Sequence, residues 1–528
     1  MYLATKHRPW NQDQEEFKRG RRSKYSKWWI AAISTVAFTT HYLFGPAPMI
    51  KPAPATFEAC LIDLCAGRPD CVRFSAQRGY EFYINWARPF NLARSCIPTA
   101  VIRPKSTEEV AGAVKCAAKH GIKVQARSGG HSFANHGLGG KDGALSIDLV
   151  NLQYVEVNTT DPSWHVKVGA GTRLSQVDEA LGPHQRAFPH GVCPGVGIGG
   201  HATIGGLGPM SRMWGSCLDH IEEVEVVTAS GTVLRADTIH NSDLFFALRG
   251  AGAGFGIITQ FTMRTHPTPK EVLHYTYNFQ FSRLTQIVEL FDEWQNLVAD
   301  PTLDRRLGTE FTLYPLGARV TATWYGTKGD LEASKILDRL PSGNDTFALR
   351  TENWGQSLIN RAIEEALHIS DIPNKFFSKS LGFTRTDIIP KEKIADLFKW
   401  VEDQNKGTYV WFIIFDATGG AVSDVPTDAT AYAHRDKFMF YQSYAVNALQ
   451  KKKETRDFLD GFHNQLLNVL PGDAHGTYPG YVDPDLERPQ ETYWMGNLPA
   501  LERIKGEWDP NDIFHNPQSV RPRVLRNQ

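Results

Sequence analysis

The chain reads as an α+β protein with two α+β regions of different texture, and three observations predict it. From Ile97 to about Pro267, short Val/Ile/Leu-rich runs alternate with glycine clusters and amphipathic helical stretches. Past "RTHPTPK" the glycine density falls and long alternating strands take over, with longer helices between them. The length, 528 residues, exceeds what one typical core sustains.

The N-terminus reads as a targeting segment. Basic residues crowd "KRGRRSKYSK", an apolar run follows in "WWIAAISTVAFTTHYLF", and small residues close it in "GPAPMIKPAPA". The run is short against the roughly 20 residues of a comfortable membrane span. Secretion with cleavage after Ala55 is the preferred reading and an uncleaved signal anchor the second. The one-sided positive flank fits a buried soluble helix least.

Next comes a strand, helix, strand sequence: "IPTAVIRP", "TEEVAGAVKCAAKHG" and "IKVQARS". The middle segment has apolar residues at helical spacing, with Thr107 as expected N-cap and Gly121 as expected C-cap. "RSGGHSF" follows, where two glycines present His131; read alone, it is a tight turn with a surface histidine.

The densest glycine text is "HGVCPGVGIGGHATIGGLGPMSRMWG", residues 190 to 215. Glycine is expected where backbone adopts positive φ or approaches a ligand closely, and successive N–H groups in such loops form anion nests suited to a pyrophosphate. No clean GxGxxG opens a helix after a strand, so this is not a Rossmann fingerprint. Cys193 stands at the head of the cluster. Alone it reads as a disulfide partner or an inert buried thiol; joined to His131, it makes two nucleophilic side chains aimed at one ligand.

Beyond Pro267, "HYTYNFQF", "TEFTLYPL" and "ARVTATWY" alternate as half-buried strands, and "TQIVELFDEWQNLV" has a helical period. An antiparallel sheet with helices on one side is expected. The C-terminal "ALERIKGEWDPNDIFHNPQSV" reads as a helix followed by a Pro/Asn loop.

The 57 basic residues balance 57 acidic ones, which argues against a dedicated nucleic-acid binder and favours small or neutral partners. Seven cysteines fit an oxidising compartment; the odd number leaves at least one outside intramolecular pairing, and their spacing is not that of a zinc site. Asn158 in "NTT" and Asn344 in "NDT" are candidate glycan acceptors if the chain is secreted.

Five separated motifs in order, "RSGGHSF", "HGVCPGVGIGGHATIGGLG", "DLFFALRGAGAGFGIITQF", "YPGYVDPDL" and "DPNDIFHNPQSV", resemble the FAD-linked oxidases of the berberine bridge enzyme family. The resemblance runs from about Ala59 to the C-terminus and is strongest toward fungal gluco-oligosaccharide oxidases, in "DATAYAHRDKFMFYQSY" and "YWMGNLPALERIKGEWDP". It implies a PCMH-type FAD-binding domain over 56–268, a substrate-binding domain over 269–497, and a return of 498–528 to the FAD-binding domain, after an N-terminal segment of 1–55.

The resemblance further implies FAD held covalently, His131 on the flavin 8α carbon and Cys193 on ring carbon 6. The cofactor cradle would comprise Ser128, Gly129, Gly130 and Ser132 around His131. Pro194, Val196, Gly199, Gly200, His201, Gly205, Gly206 and Ile257 would complete it, with Val196 leaving room for oxygen. Cys60 and Cys116 match positions joined by a disulfide in the oligosaccharide oxidases, while Cys65, Cys71, Cys96 and Cys217 receive no assignment. Tyr481 matches the family's catalytic tyrosine and Asp416 its hydrogen-bonding aspartate. A nearby carboxylate raises a phenol's pKa, so the two read as one acceptor: Tyr481 takes the substrate proton while passing its own to Asp416. Gln442 matches a sugar-contacting glutamine, and Tyr478 lies beside Tyr481 in sequence; either side chain also fits a satisfied polar group in a core.

Three positions depart from the sugar-oxidase pattern. Phe133 stands where those enzymes carry tyrosine, and Phe412 and Ile414 stand where they carry tryptophan and glutamine. These changes remove hydrogen-bonding capacity from a site that recognises hydroxyls. The leading expectation is a secreted oxidase of an oligosaccharide reducing end, giving a lactone and, from molecular oxygen, hydrogen peroxide. A same-family oxidase of an apolar alcohol or secondary metabolite is the alternative, and a secreted sugar-binding flavoprotein is the reading outside catalysis. No metal, nucleic acid or obligate protein partner is expected.

Overall fold

The computed structural model describes residues 56–77, 79–160, 164–280, 284–340, 347–366, 372–446, 452–471 and 475–523. The expected signal segment, its cleavage point after Ala55, and Asn344 lie outside the described residues. Among the described residues no helix is long and apolar enough to cross a membrane, and no group of three or more His, Cys, Asp or Glu side chains is placed to hold a metal ion.

The first sheet contains β1 (Val72–Phe74), β2 (Ala100–Ile102), β3 (Val124–Arg127) and β4 (Leu145–Asp148), in the order β1-β2-β4-β3. Helix α1 (Phe57–Leu64) precedes it, and α2 (Thr107–Lys119) connects β2 to β3. The strand, helix, strand reading therefore holds, but β4 inserts between the two strands and runs parallel to both. The N-cap of α2 is Ser106, one residue before the expected Thr107, and its side chain accepts from Glu109 N at 3.4 Å. Thr107 is instead drawn sideways, its hydroxyl donating to Glu225 Oε1 at 2.7 Å. His120 is the C-cap, and Gly121 follows it with φ +66°, the left-handed position that glycine adopts without Cβ strain. Two disulfides brace this end: Cys60–Cys116 ties α1 to α2, and Cys65–Cys71 closes the turn into β1.

A second sheet orders β5 (Val155–Val157), β6 (Val166–Gly169), β10 (Ile257–Met263), β8 (Ile221–Val227) and β9 (Val233–Ala236). A short ribbon pairs β7 (Arg186–Ala187) with β11 (His266–Pro267). The C-terminal helix α7 (Leu498–Trp508) leads into a segment that joins the first sheet, Val124 N donating to Ile513 O at 2.8 Å. Lys505, fully buried, holds that segment by donating to Gly254 O, Asp509 Oδ2 and Phe514 O at 2.6 to 2.9 Å.

The third sheet has seven antiparallel strands: β12 (Val272–Gln280), β13 (Leu307–Tyr314), β14 (Gly317–Tyr325), β15 (Phe347–Glu352), β16 (Phe376–Thr384), β17 (Trp411–Ala417) and β18 (Lys437–Val446). Their order is β15-β12-β14-β13-β17-β18-β16. Side chains alternate between its faces. Trp411, Ile413 and Phe415 of β17 enter a core with α3 (Leu284–Ala299), α5 (Lys391–Asp403) and α6 (Lys452–Val469). The helix between β15 and β16, α4 (Trp354–Ala366), supplies a residue to the cavity on the other face. That face meets the glycine-rich region. Arg212, 4% exposed, bridges them by donating to Leu303 O, Leu307 O and Thr418 O. Arg435 and Asp219 add a buried two-pronged ion pair at 2.8 and 2.7 Å.

Candidate active site

The cavity between the glycine loops and the open face of the third sheet gathers most of the expected residues. Its wall includes Ser128, Gly129, Gly130, His131, Ser132 and Phe133 from the loop after β3. Cys193, Val196, Gly200 and His201 come from the second glycine loop; Ile414, Asp416, Gln442, Tyr478 and Tyr481 come from the opposite side.

The two loops are brought together by absent side chains. A Cβ on Gly129 would lie 2.2 Å from Gly197 N, and one on Gly197 would lie 2.1 Å from Gly129 N. Arg173 locks the contact, its Nη1 donating to Gly129 O at 2.6 Å and Gly195 O at 2.5 Å. Ser128 Oγ donates to Ala170 O at 2.6 Å, and Ser132 Oγ accepts from Ala134 N and His136 N. These serines therefore shape the His131 loop from within. The His131 ring lies against Phe90, centroids 4.1 Å apart. Phe133 packs among Phe90 and Phe376.

A histidine pair fastens the Cys193 segment. His190 approaches Gly191 O at 2.7 Å through Nδ1 and Asp178 Oδ1 at 3.0 Å through Nε2, so both nitrogens face acceptors. Burial opposes its charge, but Asp178 and Gly191 O outweigh that and raise its pKa. His201, half-buried on the wall, behaves oppositely. Burial, then repulsion from His190, pulls it down to about 3, and its neutral Nε2 accepts from Gly191 N at 2.9 Å. Of the cysteines outside the two disulfides, Cys96 and Cys217 are buried and burial pushes both thiols up, Cys96 to about 12. Cys193 is half-buried on the cavity wall, which separates it from those inert thiols.

Other expected cradle residues sit behind the wall. Ile257 is buried in β10, Pro194 O accepts from Ser175 N, and Gly199 presses against Ala170 O. Gly205 and Gly206 form the turn beneath Tyr478, where a Cβ on Gly206 would lie 2.3 Å from Cys217 Cβ. Phe412 likewise stays off the wall, packed on Tyr444 at 5.5 Å.

Opposite the glycine loops, Asp416 Oδ2 accepts two hydrogen bonds: Tyr481 OH donates at 2.9 Å and Gln442 Nε2 at 2.7 Å. Asp416 and Gln442 come from adjacent strands, Asp416 facing Phe440 and Gln442 facing Ile414. Tyr481 is positioned from its backbone, because Ser380 Oγ donates to Tyr481 O at 2.7 Å and Ser378 Oγ to Val482 O at 2.8 Å. Tyr478 plays a different part. It is 2% exposed, its hydroxyl accepts from Gly206 N at 2.9 Å and Leu207 N at 3.2 Å, and burial pushes its pKa up to about 12. Its oxygen holds the glycine turn, and its ring stands edge-on to Tyr481 at 5.1 Å.

The sequence reading did not single out Glu310, Arg319, His274, Thr323 or Arg361, all on the same wall. Glu310 stands directly across from Asp416 in the strand register. The alternation in "TEFTLYPL" places Glu310 on the face opposite Phe311, but nothing local marks that face as a cavity.

The glycine loops fit a dinucleotide: closely approached backbone, one wall glycine (Gly200) with no atom within 4 Å of where a Cβ would stand, and His131 and Cys193 both on the wall. Comparison with known proteins agrees. A family model described as FAD binding domain matches residues 98–237, and one described as berberine and berberine like matches 477–521. The FAD-linked oxidoreductase sorD of Penicillium rubens is 36% identical over 475 residues, 89% of this chain and 99% of that protein. The solved xylooligosaccharide oxidase from Myceliophthora thermophila C1, in complex with xylobiose, superposes with a TM-score of 0.79 at 31% identity, covering 89% of this chain and 99% of that one. A structure of glucooligosaccharide oxidase from Acremonium strictum with its 6-S-cysteinyl, 8α-N1-histidyl FAD gives a TM-score of 0.78 at 30% identity, covering 88% of this chain and 99% of that one. The chain belongs to the berberine bridge enzyme-like family of FAD-linked oxidoreductases.

Proposed function

We propose that the protein is an extracellular oxidase of the anomeric C–OH of an oligosaccharide, with FAD held through His131 and Cys193. The observation that carries the reaction is the Tyr481–Asp416 hydrogen bond on the cavity wall facing the glycine loops. Bound FAD supplies the hydride acceptor and returns the electrons to oxygen as hydrogen peroxide. The protein's task is the hydroxyl proton. An isolated phenol, with a pKa of about 10, is a weak base at neutral pH. Tyr481 accepts the proton on its oxygen as its own passes to Asp416 Oδ2, so no free phenolate is needed. Gln442 Nε2 donates to the same Oδ2 and holds the carboxylate for that transfer. The disulfides Cys60–Cys116 and Cys65–Cys71 support an oxidising compartment.

Titration of the anaerobic enzyme with cello-, xylo- and chito-oligosaccharides tests the substrate: one of them should bleach the flavin, giving a lactone on turnover. Acid precipitation tests the links. Yellow colour should stay with the pellet in wild type, His131→Ala and Cys193→Ala, and be lost in the double variant. Ile414, buried on the wall, and Phe133, among phenylalanines, favour a second reading, oxidation of an apolar alcohol. Failure of every sugar to bleach a flavin that an apolar alcohol does bleach would select it.

A further inference from the structure

The cavity wall carries a charge that the proposed chemistry does not use. Arg361 of α4 reaches the wall beside His274 of β12 and Thr323 of β14. Its Nη1 donates to Thr323 Oγ1 at 2.9 Å and to Tyr325 OH at 2.8 Å, so two neutral hydroxyls set its position. Among the residues whose side chains are described no carboxylate lies within ion-pairing distance of it, and its Nε is buried without a hydrogen-bond partner. The other two arginines on the wall are already engaged: Arg319 Nε donates to Asn278 Oδ1 at 2.8 Å and lies over the Tyr314 ring, and Arg127 Nη1 donates to Trp86 O at 2.8 Å.

His274 does not neutralise this charge. It is 6% exposed, and burial, then Arg361 and Arg350, hold it down to about 3, so it is a neutral imidazole. With Thr323 Oγ1 accepting from Arg361, the Thr323 proton points to His274 Nδ1 at 3.1 Å, which leaves the imidazole proton on Nε2. That nitrogen lies 3.3 Å from Glu352 Oε2 without hydrogen-bond geometry. Glu352 is off the cavity wall, and its Oε1 accepts from Asn360. On the wall itself this end of the cavity therefore presents the Arg361 guanidinium without a bonded carboxylate, the one nearby acid, Glu352, lying off the wall beside His274.

Its distance from the reacting centre follows from the register. Asp416, Glu310 and Thr321 stand opposite one another on β17, β13 and β14, and Thr323 is one same-face step farther along β14. Two strand spacings and one such step put Thr323 about 12 Å from Asp416 across the sheet. We propose that Arg361 seats a carboxylate of the substrate two strands across the sheet from the carbon that is oxidised. This rests on the proposed role of Tyr481 and Asp416 in marking that carbon. A neutral oligosaccharide leaves the guanidinium without a direct ion-pair partner. A uronic acid unit beyond the reacting sugar, or the acid end of a long hydroxy acid, supplies one; the carboxylate is their shared chemistry.

The test is equilibrium binding to the anaerobic holoenzyme by calorimetry, with two matched pairs. Xylotriose is compared with a xylo-oligosaccharide of the same length ending in glucuronic acid, and 1,10-decanediol with 10-hydroxydecanoic acid. At least one acid should bind wild type roughly 10- to 100-fold more tightly than its neutral twin, the range for a hydrogen-bonded charge. The pair that shows the preference identifies the source of the carboxylate. Arg361→Gln should remove the preference while leaving the neutral ligands unchanged, and Arg361→Lys should retain part of it. Equal binding of acid and neutral twins in wild type, or a preference that survives in Arg361→Gln, overturns the proposal; if Arg361→Gln does not fold, the wild-type comparison and Arg361→Lys decide. Because binding is read without turnover, failure of every ligand to bleach the flavin would count against the proposed function and leave this result standing.

Discussion

At the scale of single residues the proposed chemistry turns on one shared oxygen. Asp416 Oδ2 accepts from Tyr481 and from Gln442, so deleting either donor changes what the carboxylate does with the other. Tyr481→Phe removes the oxygen proposed to receive the substrate proton and keeps the ring that packs on Tyr478. The anaerobic flavin reduction rate should fall about 10²- to 10⁴-fold, the usual share of a positioned proton acceptor, with ligand affinity and flavin content unchanged. A variant that reduces its flavin at the wild-type rate would remove Tyr481 from the reaction. Tyr481, Asp416 and Gln442 were legible in the sequence because each sits in a run of distinctive neighbours. Arg361, His274 and Glu310 were not: each is one polar residue in an alternating or helical pattern, where a cavity face reads the same as a solvent face. Tyr478 was visible for the wrong reason, its closeness to Tyr481, whereas its oxygen serves the backbone of Gly206 and Leu207.

At the scale of elements, the site depends on two loops that touch backbone to backbone. Gly197→Ala would drive a methyl into Gly129 N and Ser128 Oγ, each 2.1 Å from the new carbon, and the backbone atom has no rotamer to yield. The expected loss is about 1–3 kcal/mol, as for overpacking elsewhere, with weaker flavin retention. Gly506→Ala is the control. No atom lies within 4 Å of its added carbon and the residue is inside α7, away from the cavity wall, so stability should hold or rise. Thermal melts of both variants, followed by absorbance of the retained flavin, check the pair; equal melting temperatures would mean that the loop contact carries no strain. The density of glycine in "HGVCPGVGIGGHATIGGLG" announced such a contact but not its partner, which lies some seventy residues upstream. The same limit shows in the first sheet. Strand, helix and strand were readable from local periodicity, yet β4 enters between β2 and β3 through non-local pairing that no short window contains.

At the scale of the whole molecule, buried histidines tie stability to pH. Burial is the leading cause that lowers His136, His220 and His463 to about 4 and His201 and His434 to about 3. In the unfolded chain the same groups titrate near 6.5. Between those values the unfolded state binds protons that the native state refuses, so native stability is full above about pH 6.5 and drains away as pH falls toward 4. His190 works in the opposite sense. Its raised pKa contributes stability below about 6.5 that is lost as pH rises through its folded value, but it is one group against these five and, lowered likewise by burial, His266 and His274. Asp237 and Asp300, held at about 2 by hydrogen bonds, keep the slope in the same direction once pH drops below 4. Calorimetric melts from pH 7.5 to 4.5 should therefore show a melting temperature that declines continuously below about pH 6.5. His434→Gln separates burial from other acid effects. A glutamine keeps an amide in reach of Tyr493 O, which the histidine Nε2 contacts at 2.9 Å, and carries no proton to gain, so the decline should be shallower. A melting temperature that stays flat or rises on acidification would mean that these imidazoles are protonated in the folded protein and that solvent reaches them.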